Sequence, residues 1–422
     1  MKNLLLFSFF VTLIMSQSSC LKDRCESSKT YISYAPIYKT PTELRSEVVK
    51  MEAAREIKNP GKIYSYDRYL LVNELREGLH IIDNQNPSSP VSIGFLKIGG
   101  NQDMAVKGNI LYADNYIDLL AIDLTNITSP QVVKRREDAF QPLAKDATRG
   151  YLVGYSQEKV SVPCNSPISY YEGEKFFLSE SVFLSDNSNF GSSASGTSVS
   201  VPAGIGGSQA RFTLYNNYLY AVDNRDLRTF NIETLANPYL VSTTTVGWNI
   251  ETIFPYKDKL FIGSATGMFI YDNAVPTAPK FLSQFTHARA CDPVYATDTR
   301  AYVTLHQGTN CGGSVDALDV IDISNLSAPK LLRSYSMYSP KGLAVTNNKL
   351  YLCDDGLKVF DISNDLTIDD HKLSHLKGFD SYDVIHLASK NVLLVVGKDG
   401  LYQYDSSNPS DLKQLSKIGV AR

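Results

Sequence analysis

Asp103, Glu251, Asp292 and Asp383 stand at matching places in a unit that recurs along the chain, each at the start of the unit's first strand. Arg211 fills that place in a fifth copy, and Gly61, Pro142 and Gly342 fill it in three more, with Lys341 one residue ahead of the last. Carboxylates gathered round one axis repel one another unless something neutralises them. Arg211, Lys341, a hard cation such as Ca²⁺ on oxygen ligands, or water would each serve. Three readings follow. Asp103, Arg211, Glu251, Asp292, Lys341 and Asp383 bind a polar ligand, or a metal, where the first strands converge. Alternatively, two of the carboxyls act as general acid and base on a polysaccharide. In the third reading each carboxylate accepts backbone N–H groups of a neighbouring loop, the commoner use of an aspartate at a strand end. No residue is assigned a catalytic role.

Other reactive groups are sparse. Cys291 precedes Asp292, and Cys311 lies in the loop His306–Ser314 of the same unit. A Cys291–Cys311 disulfide would pin that loop, contributing ~3 kcal/mol on the chain-entropy model. His306 and Asp292 form a conceivable acid–base pair. The chain has no HExxH, Gly-x-Ser-x-Gly, phosphate loop, CxxC or haem CxxCH. Its single Trp argues against the aromatic docking platforms of quinone-cofactor enzymes. A net charge of −3 supplies no basic field for nucleic acid.

The elements that position these groups are short strands. Aligning the residue that ends each "φxφφD" strand gives Asp83, Asp123, Cys164, Asn231, Asp272, Asp322, Asp361 and Asp405. The successive spacings are 40, 41, 67, 41, 50, 39 and 44, a period in the range of propellers and arrays. Each unit reads as four strands of about five residues separated by Asn, Asp, Gly and Pro turns. The recurring aspartate can accept N–H groups of the turn that follows, and the proline beyond it (Pro90, Pro130, Pro238, Pro279, Pro329) ends the turn. The fold class is therefore all-β: a β-propeller of four-stranded blades. Eight inner-strand starts predict eight blades, with seven as the alternative if the degenerate third unit is not a true blade.

"LDVID" (Leu318–Asp322), "LHIID" (Leu79–Asp83), "LLAID" (Leu119–Asp123) and "LKVFD" (Leu357–Asp361) resemble the LVIVD-repeat family of β-propellers. That resemblance implies a propeller in the periplasm or on the surface of a bacterium, and no particular substrate. "LRTFN" and "VSVPC" depart from the pattern at Asn231 and Cys164.

Three segments flank or interrupt the repeats at 61–418. Residues 1–20 read as a signal peptide: Lys2, the apolar run Leu4–Met15, then Gln17-Ser18-Ser19-Cys20. The last four resemble a bacterial lipobox, which implies a lipid on Cys20, although Gln17 stands where that motif usually has Leu. "LKDR" after Cys20 is similar to signals that send lipoproteins to the outer surface. Residues 21–60 read as a tether in which Thr40–Glu43 forms a capping box with Pro41 at the first helical position. Ser46–Glu52 is expected to add an outer strand to the last blade and so close the ring. The insertion 165–207 has an aromatic first half and a Ser/Gly-rich second half that reads as an unstructured flap. The expected function is an envelope lipoprotein that binds or scaffolds a protein or glycan partner, touching the membrane only through its lipid.

Overall fold

The computed structural model describes residues 28–142, 144–163, 171–172, 175–179, 205–287, 293–306 and 315–421. The chain divides into two compact units, one of residues 1–37 and 154–184, the other of residues 38–153 and 185–422.

Eight antiparallel sheets are formed among the described residues, as many as the repeat units counted in the sequence. Seven contain the four-stranded meander of a propeller blade, each made of strands consecutive in the chain: blade 1 (60–97), blade 2 (104–136), blade 3 (212–245), blade 4 (250–286), blade 5 (294–336), blade 6 (343–376) and blade 7 (381–419). The eighth belongs to the degenerate third unit and is built differently. Its five strands include Lys145–Asp146, Gly150–Pro163, the N-terminal Ser28–Lys39 and Lys175–Ser179. The count of eight thus describes the sheets, and the alternative of seven describes the meanders.

Strand order within a blade follows from which residues can be buried. Third strands such as Asp118–Asp123 are buried up to the final aspartate, whereas the fourth strand Gln131–Arg136 is exposed or half-buried. Every blade has a register shift between its third and fourth strands, between Ile81 and Ile82 in blade 1 and at matching points in the other six. One extra residue on the outer strand raises the local twist there. Three third strands open on glycine for want of space: a Cβ on Gly78, Gly267 or Gly400 would overlap the carbonyl oxygen of Leu96, Phe285 or Ile418 on the fourth strand.

The aspartate that ends the third strand makes the expected turn. Asp123 Oδ1 accepts the Thr125 N–H at 2.7 Å, and Asp322 and Asp405 accept those of Ser324 and Ser407, each at 2.9 Å. Asn231 does the same for Glu233 at 2.9 Å, so the departure "LRTFN" preserves the geometry. A second such turn follows three residues later, where Asn126, Asn325 and Asn408 accept from Thr128, Ser327 and Ser410.

The ring is held by apolar seams between neighbouring blades. Leu71, Leu111 and Phe230 lie in one cluster joining blades 1, 2 and 3. Separate clusters join blades 3 and 4, 4 and 5, 5 and 6, 6 and 7, and finally 7 and 1 through Ile63, Val72, Leu394 and Val396. Each fully buried aliphatic side chain contributes on the order of 2 kcal/mol relative to exposure. Tyr112 of blade 2 donates to the Leu235 carbonyl of blade 3 at 2.8 Å, so these two meanders pack directly on each other.

The helix expected from the capping box spans Pro41–Ser46. Thr40 accepts the Glu43 N–H, and Glu43 accepts the Thr40 N–H at 2.7 Å. The strand after it corrects the sequence reading. Lys50–Glu52 pairs with the fourth strand of blade 1, Lys50 opposite Lys97, not with the last blade. Blade 1 lies nearer in the chain, and its outer edge offers free backbone groups at a shorter loop length. The C-terminal segment is met instead by Ile57, which bridges to Val420 and accepts the Ala421 N–H at 2.7 Å.

Candidate functional site

Inner strands of a propeller converge on an axis, and here the chain itself occupies that place. Residues 205–212 return from the insertion across the converging strands. Ile205 and Gly206 pair with Ser65 and Tyr64 on the inner strand of blade 1. Ser208 donates its N–H and hydroxyl to Asp383 Oδ1 at 3.3 and 3.2 Å on blade 7, and its Oγ accepts the Leu343 N–H of blade 6 at 2.8 Å. Gln209 donates to the Tyr382 carbonyl at 2.7 Å. The Ala210 carbonyl accepts the Ile253 N–H of blade 4 at 2.7 Å. Arg211 and Phe212 give their N–H groups to Asp103 Oδ2 of blade 2 at 2.7 and 3.0 Å. Eight residues bonding to five other blades form a strap across the axis. The expectation of an unstructured flap does not extend to 205–207; small residues let the strap lie close, and a Cβ on Gly207 would overlap the Asp383 carboxylate.

The proposed ring residues are therefore spread among different tasks. Asp103 is 1% exposed; besides the strap it accepts the Met104 N–H on Oδ1 at 2.6 Å and the Lys62 ammonium on Oδ2 at 2.6 Å. Its neutralising cation is Lys62, which the sequence reading missed, since a lysine within a strand ordinarily reaches solvent. Burial pushes the Lys62 ammonium down to about 8. Asp383 is also buried, and burial pushes its carboxyl up to about 7. Arg211 Nε donates to the Val222 carbonyl at 3.1 Å, and its Nη1 reaches Gln102 Oε1 at 3.4 Å. Lys341 pairs with Asp380 at 2.6 Å and lies over the Tyr382 ring. Glu251 is half-buried at a bulge between Ile250 and Thr252. Asp292 lies outside the described residues, as do Cys20, Cys291 and Cys311, so their proposed roles are not addressed by the fold. His306 has Asp316 Oδ1 at 3.4 Å from its Nδ1.

A cleft of about 690 Å³ opens off this axis, between blades 2 and 3 and the segment 140–153. Arg76, Arg211 and Arg225 line it with Tyr116, Tyr151 and Trp248. Trp248, the single Trp of the chain, is 65% exposed, and the Arg225 guanidinium lies 5.0 Å from its ring centre. Arg76 Nη1 donates to the Val153 carbonyl at 3.3 Å. The acids of the wall are held from within. Asp114 accepts the N–H groups of Gln102 and Asp103 at 2.9 and 2.8 Å, and burial lifts its carboxyl to about 6. Asp223 meets Arg228 Nε at 3.2 Å, and Asp226 meets Arg228 Nη2 at 3.5 Å.

Two of these lining residues adopt an unfavourable backbone. Of eleven described non-glycine residues with positive φ, eight are Asn or Asp; the others are Arg76 at 62°, Tyr116 at 59° and Lys257 at 52°. Residues held this way cost on the order of 1–3 kcal/mol and concentrate at functional sites. Nothing in the sequence signals that conformation, since Arg and Tyr do not mark left-handed turns.

Comparison with known proteins supports the architecture. The family described as LVIVD repeat matches residues 98–137 and 314–337, which include "LLAID" and "LDVID". No curated protein matches the chain. Among solved structures, dihydro-heme d1 dehydrogenase NirN in complex with DHE aligns with a TM-score of 0.50 and 13% identity, covering 93% of this chain and 73% of that one. A functionally unknown protein from Desulfotomaculum acetoxidans aligns at 0.49 and 11%, covering 85% and 95%. BamB from Moraxella catarrhalis aligns at 0.46 and 10%, covering 84% of each chain. At 13% identity the likeness to dihydro-heme d1 dehydrogenase NirN is one of fold.

Proposed function

We propose that this chain is an exported, lipid-anchored binding module of the bacterial envelope, whose rigid ring presents the cleft between blades 2 and 3 to a protein or glycan partner. The observation that carries the reading is the strap across the axis. Asp103, a carboxylate expected to face a ligand there, spends its oxygens on the chain's own N–H groups and on Lys62, and Asp383 gives Oδ1 to Ser208 and the Val384 N–H and keeps Oδ2 buried without a partner. A polysaccharide-cleaving site needs one carboxyl to donate a proton and another to face the sugar. Both of these acids face protein instead. The cleft, by contrast, gathers charged and polar groups beside Tyr116, Phe140, Tyr151 and Trp248 at a volume suited to a small ligand or a protruding side chain.

Export and anchoring rest on residues 1–20 and on Cys20, with the LVIVD match as support. Among the described residues no helix is long and apolar enough to cross a membrane, so the lipid is the proposed attachment.

The test has two parts. Fluorescently labelled protein is applied to a glycan array and to purified envelope proteins, and saturable binding that Arg225→Ala weakens is expected. Release of reducing sugar from a bound glycan, abolished by Asp103→Asn with the melting temperature unchanged, would overturn the reading. For the anchor, Cys20→Ala is expected to move the protein from the membrane to the soluble fraction of a bacterial host and to end labelling by radioactive palmitate.

A further inference from the structure

We infer that the fourth strand of blade 3, Tyr239–Thr245, is the contact through which two copies of this chain pair, antiparallel and edge to edge. This goes beyond the binding-module reading and does not depend on what the cleft binds. Among the described residues the strand ends its sheet, so one side of its backbone carries N–H and C=O groups with no neighbouring strand. Such an edge is a template for another chain unless something on it prevents pairing.

On the other six meanders something does. Their fourth strands carry Lys97, Lys134, Lys280, Lys330, Lys372 and Lys413 in turn, and none of the six contains Asp or Glu. Two copies meeting through any of those edges would set cation against cation. The blade 3 strand reads YLVSTTT and has no charged residue. Of the seven meander edges described, it is the one that can face its own copy without like-charge repulsion. Tyr239, Val241 and the three threonines are also residues that fit a strand well.

Blade 1 shows that a blade edge in this chain accepts a further strand, since Lys50–Glu52 pairs with Phe95–Lys97. Lys50 faces Lys97 there, but Glu52 meets its ammonium at 3.1 Å, and the added strand belongs to the same chain. Pairing within a chain loses far less translational freedom than pairing between molecules. A second copy has neither advantage, which is why the uncharged edge matters.

The strand is its own complement. A two-fold axis through Ser242 sets Tyr239 opposite Thr245, Leu240 opposite Thr244 and Val241 opposite Thr243, with each pair made twice. Its ends add apolar surface. Tyr239 and Leu240 are 45% and 46% exposed, and Trp248, three residues past Thr245, is 65% exposed. Antiparallel pairing brings the Tyr239 end of each copy to the Trp248 end of the other, so these side chains are covered together. The acid nearest the strand is already balanced: Asp226 accepts the Thr245 hydroxyl at 2.9 Å and meets Arg228 at 3.5 Å.

One strand pair with flanking aromatics is a small interface, so the dimer is expected to form in the micromolar range. Sedimentation velocity of the purified protein from about 1 to 100 μM is expected to show monomer passing to dimer. Over the same range, hydrogen exchange of 239–245 should slow while that of the matching strand 280–286 stays constant. Thr243→Lys gives this edge the charge that the others carry and is expected to weaken the dimer by about tenfold or more. Gln284→Lys, at the matching exposed place on blade 4, should leave it intact, and both variants should melt with the native protein. A chain that stays monomeric throughout overturns the inference, even if the edge takes a strand from another protein. A dimer that Thr243→Lys leaves unchanged places the contact elsewhere and overturns it too. Neither result bears on ligand binding in the cleft.

Discussion

Asn84 and Gln403 exchange two amide hydrogen bonds across the junction of the first and last blades, Asn84 Nδ2 to Gln403 Oε1 at 2.9 Å and Gln403 Nε2 to Asn84 Oδ1 at 2.6 Å. Both residues are buried, and 319 positions separate them in the chain. Among the described residues each of the seven meanders is complete within its own stretch of sequence, so no meander strand is shared between the ends. Closure depends on this pair, on the Ile57–Val420 bridge and on the seam of Ile63, Val72 and Leu394.

Truncating one amide leaves the other buried without a partner, which costs about 1–3 kcal/mol. Gln403→Ala is therefore expected to lower the melting temperature, and Asn84→Ala to do the same. A double-mutant cycle should show the two losses to be less than additive. Additive losses would mean the pair does not act as a closure.

Lys62 and Asp103 are the next test. Removing one member of a buried ion pair strands the other charge, at a cost of about 3–5 kcal/mol. Lys62→Met is expected to destabilise strongly in urea unfolding, and Lys62→Met with Asp103→Asn to recover part of the loss. Indifference to Lys62→Met would show that Asp103 is held by its N–H donors alone.

Asp383 makes stability depend on pH. Its carboxyl titrates near 7 in the folded chain and near 4 when unfolded. Above pH 4 the unfolded chain therefore releases a proton that the folded chain retains. The stabilisation is complete below about pH 4 and is lost as pH rises through about 7. Asp114, lifted to about 6, acts in the same sense. Lys62, lowered to about 8, acts above that window. Thermal unfolding between pH 4 and 8 is expected to show the decline, and Asp383→Asn to flatten it. An unchanged slope in the variant would place the titration elsewhere.

Residues 40–57 hold the outer edge of blade 1. Arg45, on the helix, makes a bidentate pair with the buried Asp118 of blade 2 at 3.0 and 3.1 Å, and Lys50–Glu52 covers the fourth strand of blade 1. Deleting 40–57 is expected to lower the melting temperature by several degrees. Thr40→Ala alone should cost about 1 kcal/mol through loss of the cap.

Much of this fold was legible because the repeat states itself chemically. The aspartate at the end of each third strand and the proline beyond it fix strand order, turn and blade limits together, and Asp322 and Pro329 suffice to find them. The third unit was readable as an anomaly from Cys164, but its partner strand was not. Ser28–Lys39 lies more than a hundred residues earlier, and strand pairing at that range leaves no local trace. The site was less legible. Lys62 stands one residue beyond the glycine that marks its unit's ring position. Ser208 and Ala210 follow a Ser/Gly-rich stretch whose composition argues for no structure, although the strap is ordered by bonds to five blades.

The central claim is that the chain seals its own axis with residues 205–212, which makes Asp103 and Asp383 structural and sends binding to the cleft. Native-state hydrogen exchange at the Arg211 and Phe212 amides tests it most directly, because both bond to Asp103. The account predicts protection approaching that of the blade cores, with opening free energies near that of global unfolding. Exchange of these two amides at the rate of an exposed loop, while the blade strands stay protected, would contradict it.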